Sequence, residues 1–415
     1  MSVRRQRTPG PFERDDLTLR LYATLALIGF LLNGLGSILA PLQRDLDTSR
    51  EQVAFYPSLF AAALILVGVA GGPVVRRIGD RRGLLTAFAG IGLGVVLLAV
   101  PSRPVTLVGA VVLGVFAALA IQLVPAGLSR RHPVHATAAI GEANAASSFA
   151  SLVAPALVAL ALVAGLTWRL GYTLPAVVVV VVLFVRGLRA RSPADLPAAA
   201  PGEDTETGLG LEPGRLVPRW AAVFLAVSAE FCLVFWAAAA FDDWHDASPG
   251  AAAALAGTFL LGMAVARAFA SRLTAGRHPT TVVLASCVVA LLGFGLFWGS
   301  PTVAPAGIGL FVTGTGIALI YPATISRLVA AWPHDRNAAA ATGALASGTA
   351  IGIPPLVLAY LADEVGMRTA YLIVPGLLVL LAVLVLVAAN PARARPGQPA
   401  ETSTTPTSAA TTPTC

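Results

Sequence analysis

The chain has 415 residues, 56% of them hydrophobic and only 12% charged, with a mean hydropathy of +0.79, which excludes a water-soluble globule of this size and reads as a polytopic membrane protein. Its net charge of +7 lies at the ends of apolar segments rather than on one face, so anionic lipid headgroups, not nucleic acid, are the expected partners. All 28 basic residues are arginine, and a chain without lysine has no Walker-type phosphate loop, Schiff base or lysine nucleophile, which excludes an ATP-hydrolysing pump.

A spanning helix needs roughly 20 apolar residues at a rise of about 1.5 Å each. Twelve runs meet that length. They are Leu17–Leu42, Gln52–Val75, Leu84–Val100, Val105–Leu128, Ala136–Leu162, Leu166–Val185, Trp220–Phe241, Gly250–Phe269, Thr280–Trp298, Val303–Ser326, Ala338–Ala362 and Thr369–Ala389. The first lacks a short apolar region followed by a small-residue cleavage site, so it is expected to persist as a helix. Cys232 and Cys287 fall inside apolar runs and Cys415 is the last residue, which makes neither a disulfide framework nor a CxxC pair.

An even number of spans places both termini on one side. The connections on the side of Gly72–Gly83, with both tails, hold 22 arginines; the opposite connections hold five, Arg44, Arg50, Arg103, Arg169 and Arg368, and Arg267 falls within a span. Short arginine-rich loops stay on the inner face during insertion, so both ends are predicted to be cytoplasmic, in a multi-pass protein of the inner (plasma) membrane.

The expected organisation is a cytoplasmic tail over 1–16, a six-helix bundle over 17–185, a cytoplasmic linker over 186–218, a second six-helix bundle over 219–389 and a disordered cytoplasmic tail over 390–415. The linker carries Pro-Ala-Ala-Ala-Pro-Gly-Glu-Asp-Thr-Glu-Thr, and the Thr-, Pro- and Ala-rich tail has too little apolar surface to order itself. The halves look duplicated. An offset of 199 places Pro155 over Pro354, Asp47 over Asp246, and Trp168-Arg169-Leu170-Gly171-Tyr172 over Met367-Arg368-Thr369-Ala370-Tyr371, while Pro125 answers Pro322 with a shift of two.

The turn Gly72-Pro73-Val74-Val75-Arg76-Arg77-Ile78-Gly79-Asp80-Arg81-Arg82-Gly83 resembles the Gly-x-Leu-Ala-Asp-Arg-x-Gly-Arg-Arg signature between the second and third helices of the major facilitator superfamily. Gly72, Arg77, Gly79 and Arg81 match; the family's aspartate falls on Arg76 and one of its basic positions on Asp80. Gly314-Thr315-Gly316 through Tyr321-Pro322, Gly352-Ile353-Pro354-Pro355 and Asn33-Gly34-Leu35-Gly36-Ser37 are similar to the fucose-permease-like subgroup. The resemblance covers Leu17 to Ala389. It implies an all-α membrane protein of 12 transmembrane helices in two parallel six-helix halves. It also implies that the turn is a gate whose residue 76 meets the start of span eleven, where Asp335 offers Arg76 a partner; the alternative is a solvated topology signal whose arginines pair with lipid phosphate.

Glu230 lies near the middle of span seven, roughly 15 Å from either end by helical rise. A carboxylate there marks a functional site by default, as a proton-coupling group or a holder of a cationic substrate; the alternative is a structural glutamate. Glu142 in span five and Arg267 in span eight are a possible polar pair. Glu142 could equally meet Arg130 or Arg131, and Arg267 could snorkel or bind a substrate anion. Ser147 and Ser151, with Asn144 and Ser148 beside them, read first as close-packing residues between helices. The resemblance implies that spans one, four, seven and ten line the cavity, which nominates Asn33, Ser37, Gln122, Thr313, Thr315 and Tyr321, with Tyr56 and Trp236 as stacking surfaces. Asp242, Asp243, His245 and Asp246 read as a solvated helix end rather than a metal site, and all five histidines lie in connections, so no cofactor is expected.

The function this implies is not enzymatic: secondary transport of a small-molecule substrate by a monomer, coupled to protons and working by alternating access. Its thinly polar spans lean towards export of an amphipathic compound. Uptake of a sugar or related metabolite is the alternative within transport. A non-transporting sensor or scaffold is the alternative of another class.

Overall fold

The computed structural model describes residues 14–78, 80–132, 134–189, 213–329 and 336–389, and among them every regular element is a helix. Lipid offers no partner for a free backbone N–H or C=O, and a helix satisfies its own. The first half contains α1 (Asp16–Asp45), α2 (Arg50–Ile78), α3 (Asp80–Leu98), α4 (Arg103–Arg131), α5 (Ala136–Val163) and α6 (Trp168–Arg189). The second contains α7 (Pro213–His245), α8 (Pro249–Ala268), the short α9 (Ala270–Thr274), α10 (Pro279–Gly299), α11 (Val303–Ile317), α12 (Ile320–Val329), α13 (Arg336–Val365), α14 (Met367–Ala370) and α15 (Ile373–Ala389). Among the described residues, twelve spans are long and apolar enough to cross a membrane. α11 with α12 makes the tenth, and α14 with α15 makes the twelfth.

Two spans read as single runs are interrupted, at 318–319 and at 371–372. A proline lies just beyond each break: Pro322 has no N–H to offer the carbonyl of Ala318, and Pro375 none for Tyr371, although prolines such as Pro125 and Pro175 are carried inside unbroken helices. Elsewhere helices outrun their apolar cores. α6 continues to Arg189 and α7 starts at Pro213, so both ends of the expected linker are helical. The linker's centre, residues 1–13 of the N-terminal tail and the C-terminal tail lie outside the described residues.

Duplication is legible in backbone detail. Among the described residues, Asp47 and Asp246, 199 residues apart, are the non-glycine residues with positive φ, at 45° and 49°, a region that aspartate enters more readily than most side chains. Arg169 donates from Nε to the carbonyl of Ala99 at 2.7 Å, and Arg368 from Nη2 to that of Trp298 at 3.0 Å. Both donor and acceptor are displaced by 199 positions, so the same tie joins spans three and six in one half and spans nine and twelve in the other.

The halves meet through α1 on α7, α2 on α13 and α5 on α8. Gly36 of α1 packs onto α7 so closely that a Cβ there would lie 1.9 Å from the carbonyl oxygen of Val234. Between α2 and α13, Ser58 Oγ donates to the carbonyl of Gly352 at 2.7 Å. Satisfying polar atoms this way is what packing in lipid selects for.

Candidate functional site

A cavity of about 160 Å³ opens between the halves, bounded by α1 and α5 on one side and α7 and α8 on the other. Glu230 enters from α7 and Arg267 from α8. Asn33 of α1 faces them with Asn144, Ser147, Ser148 and Ser151 of α5, and Phe231, Leu260, Met263 and Ala264 complete the lining.

The polar wall is built by a close helix crossing. A Cβ on Gly29 would lie 2.3 Å from Ser147 Oγ, so glycine alone lets α1 and α5 approach here. That contact brings the Asn33 amide to Ser151 Oγ at 2.9 Å and to the Gly29 carbonyl at 3.1 Å. Ser151 Oγ in turn donates to the Gly29 and Ser147 carbonyls at 3.1 and 2.9 Å. The α5 residues read from sequence as packing residues therefore both pack and line the cavity. Their i, i+4 serines, on the same face of a helix, were the signal.

Opposite this wall, Arg267 Nη2 lies 3.5 Å from Glu230 Oε1. The Glu230 side chain is 12% exposed and that of Arg267 35%. Arg267 is the penultimate residue of α8, but its side chain turns towards Glu230 instead of leaving Glu230 without a counterion. The expected pairing of Glu142 with Arg267, or with Arg130 or Arg131, is thus corrected. Glu142 receives bonds from Arg14 Nε at 2.8 Å and from the Tyr22 hydroxyl at 3.0 Å, because the start of α1 lies over the start of α5.

Other nominated residues are engaged elsewhere. Gln122 does not line this cavity; its amide donates to the Val67 carbonyl of α2 at 2.8 Å. The hydroxyls of Thr313 and Thr315 bond their own helix, at Gly309 and Val312, the usual fate of a lone hydroxyl in a span. Ser37 is buried in the α1 packing. Tyr321, on α12, faces Ser347 and lies within electrostatic reach of Glu230. The two aromatic stacking surfaces are a correction: Tyr56 and Trp236 are each 1% exposed, the first bonded to the Thr106 hydroxyl, the second donating to the Pro355 carbonyl at 3.0 Å. Large rings in a span gain more by filling space between helices than by facing an opening. The lining comes from spans one, five, seven and eight, where the family resemblance implied one, four, seven and ten.

Of the gate, the side chains of Gly72, Arg76, Arg77, Gly79, Asp80 and Asp335 lie outside the described residues. Arg81 is described: its guanidinium caps the end of α6, donating to the Gly187 carbonyl at 3.3 Å and the Leu188 carbonyl at 3.1 Å.

On the face away from the chain ends, charged groups tie the halves together. Arg44 pairs with Asp242, Arg50 with Asp243, and the backbone N–H of Glu51 donates to Asp363 Oδ2 at 3.0 Å. That amide belongs to the first turn of α2, which has no donor-satisfying partner within its own helix. The acidic cluster at the end of span seven stays partly open to solvent, and arginines of the other half meet two of its carboxylates, Asp242 and Asp243.

The Major Facilitator Superfamily profile matches residues 21–243 and again 219–413. An uncharacterised MFS-type transporter of Salmonella typhimurium is 26% identical over 354 residues, covering 81% of this chain and 85% of its own. Among solved structures, the inward-facing, unoccupied bacterial homologue of the human lysosomal transporter Spinster superposes with a TM-score of 0.72 at 15% identity, over 90% of this chain and 96% of that one. The nucleoside transporter NupG, as its D323A mutant, gives 0.73 at 12% identity, over 90% and 100%. At such identities the solved structures carry the fold, and the profile, which matches both halves, carries the family. The chain belongs to the major facilitator superfamily.

Proposed function

We infer that this chain is a secondary transporter that carries a small polar organic solute across the inner membrane by alternating access, with Glu230 as its proton-coupling group. The observation that carries the reading is the charged pair Glu230–Arg267, set in a cavity at the junction of two duplicated halves. A charge is costly at that depth and is kept where it meets solute, ion or water. A cavity at the repeat interface is where rocking halves expose a site alternately to each side.

Arginine asymmetry supports cytoplasmic termini. The links Arg44–Asp242, Arg50–Asp243 and Glu51–Asp363 then hold the outer face closed, and Arg76 with Asp335 is the corresponding pair for closing the inner face. The polar lining favours a hydrophilic solute over the amphipathic cargo that the thinly polar sequence suggests. Uptake of a sugar-like solute by a fucose-permease-like carrier is the second reading, favoured by the α5 hydroxyls and amide.

Purified protein in liposomes, with candidate solutes supplied under an imposed proton gradient, tests the assignment. Solute-dependent proton flux that is lost in Glu230→Gln supports it. Full coupling in that variant removes Glu230 from the mechanism, and absence of any solute movement favours a sensor or scaffold on a transporter fold.

A further inference from the structure

Glu230 and Arg267 form a loose pair, open to the cavity, and no other charged side chain lines that cavity among the described residues. The remaining polar lining is neutral. Asn33 of α1 and Ser151 of α5 are bonded to one another, which leaves Asn144, Ser147 and Ser148 on the α5 wall. The groups facing Glu230 are Arg267 from α8 and, within electrostatic reach, Tyr321 from α12, beside Ser347 of α13.

A solute entering here must separate the pair or leave it intact. The two partners differ in one respect: a carboxylate is neutralised by a proton, whereas a guanidinium in a protein keeps its charge. A cationic solute would take Glu230 and strand Arg267 as an uncompensated, largely enclosed charge, an arrangement far costlier than a paired one. An uncharged solute would offer ordinary hydrogen bonds in place of an ionic contact. An anion that takes Arg267 while a proton takes Glu230 leaves both groups compensated. The lining then carries no net charge either empty or loaded, as a site that moves through a low-dielectric region requires.

Resting on the transport reading above, we propose that the solute presents a carboxylate or comparable oxyanion to Arg267 while a proton occupies Glu230, so that one anion and one proton cross together without net charge. The solute is compact. A cavity of about 150 Å³ in an engineered protein takes up benzene, so this one suits an organic acid on the order of six heavy atoms, its uncharged part against Phe231, Leu260 and Met263.

The test is binding to the purified full-length protein, read by thermal shift and calorimetry, with lactate and butyrate as probes against lactamide, butyramide and glycine. Both carboxylates are expected to bind at about pH 5.5 and to weaken by close to tenfold per pH unit on the alkaline side, the slope of one linked proton. Glu230→Gln, which mimics the protonated acid, is expected to bind them with no pH dependence and at least about tenfold more tightly than wild type at about pH 8. Arg267→Gln should lose at least about tenfold in affinity, the factor of one charge-assisted hydrogen bond, and Arg267→Lys should recover part of it. Melting without ligand identifies any variant that has failed to fold, and the wild-type pH slope stands without any variant. Amides or glycine binding as well as the carboxylates, or no carboxylate binding at all, overturns the proposal. Carboxylates that bind as described but never cross a liposome membrane refute the transport reading and leave the anion site standing. A neutral solute that is carried while carboxylates are ignored does the reverse. If the acids do cross, a pH gradient drives them and a potassium diffusion potential alone does not; potential-driven uptake sinks the electroneutral pairing.

Discussion

Arg44, at the end of α1, is ion-paired with Asp242, at the end of α7, and the contact joins two residues 198 positions apart in different halves of the molecule. Arg50 and Asp243 repeat it one helix over. All four side chains are between 26% and 45% exposed, so each pair contributes only about 0.2–1 kcal/mol to stability.

Neutralising both pairs, with Asp242→Asn and Asp243→Asn together, is expected to raise the accessibility of cavity positions from the outer face. Labelling of a cysteine placed at Ser151, in a background where Cys232, Cys287 and Cys415 are replaced, reads this directly. High salt should mimic the effect in the wild type. The charge-swapped protein Arg44→Asp with Asp242→Arg should return towards wild-type labelling; a swap that labels like the neutral variant would exclude the pair as a closing contact.

Asp15 caps α1, its Oδ1 accepting from the Thr18 amide at 2.8 Å and from the Thr18 hydroxyl, while Oδ2 meets Arg131. Partial burial pushes this carboxyl up, but the Thr18 bonds and the Arg131 charge outweigh burial and hold it below its ordinary value of 3.8. The sign follows: the folded protein binds this proton less readily than the unfolded chain, so the stabilisation is present above about pH 4 and disappears as pH falls through the lower folded value. Asp15→Asn keeps a capping oxygen but loses the charge that faces Arg131 and the helix N-terminus, so it is expected to cost about 0.3–1 kcal/mol at neutral pH, with the difference from wild type shrinking below about pH 4. Thermal denaturation in detergent across pH measures it, and a difference that grows in acid would contradict the assignment.

Trp236 separates a packing role from a substrate role. Its indole N–H is buried against the Pro355 carbonyl, so Trp236→Phe should destabilise the protein by about 1–3 kcal/mol, from the lost bond and the void behind it, with solute affinity unchanged. Tyr56→Phe, which strips the bond to Thr106, should behave alike and more mildly. A marked loss of affinity at unchanged melting temperature would return either ring to the binding site.

The sequence by itself determined the number of spans, the duplication at an offset of 199, the family and the prominence of Glu230. These are properties of composition and of spacing along the chain. An apolar run of sufficient length must cross lipid whatever lies next to it, and a carboxylate in its middle is conspicuous without knowing its neighbours. The serines of α5 were legible as one face of a helix, but not as a cavity wall.

Tertiary structure alone decided who meets whom. Arg267 could have snorkelled to the membrane surface, and only the rotation of α8 against α7 brings it to Glu230. Glu142 had arginines nearby in sequence, yet its partner is Arg14, 128 residues away. Asn33 and Ser151 are 118 apart and meet because Gly29 lets α1 and α5 close together. Tyr56 and Trp236 have the chemistry of a binding surface and are enclosed between helices instead. Hydropathy sets where along the membrane normal a residue lies, but which way it faces is set by helix rotation and by side-chain fit with distant segments. Periodicity is weak in spans that are apolar on every side, so that information was not available from any one stretch of chain.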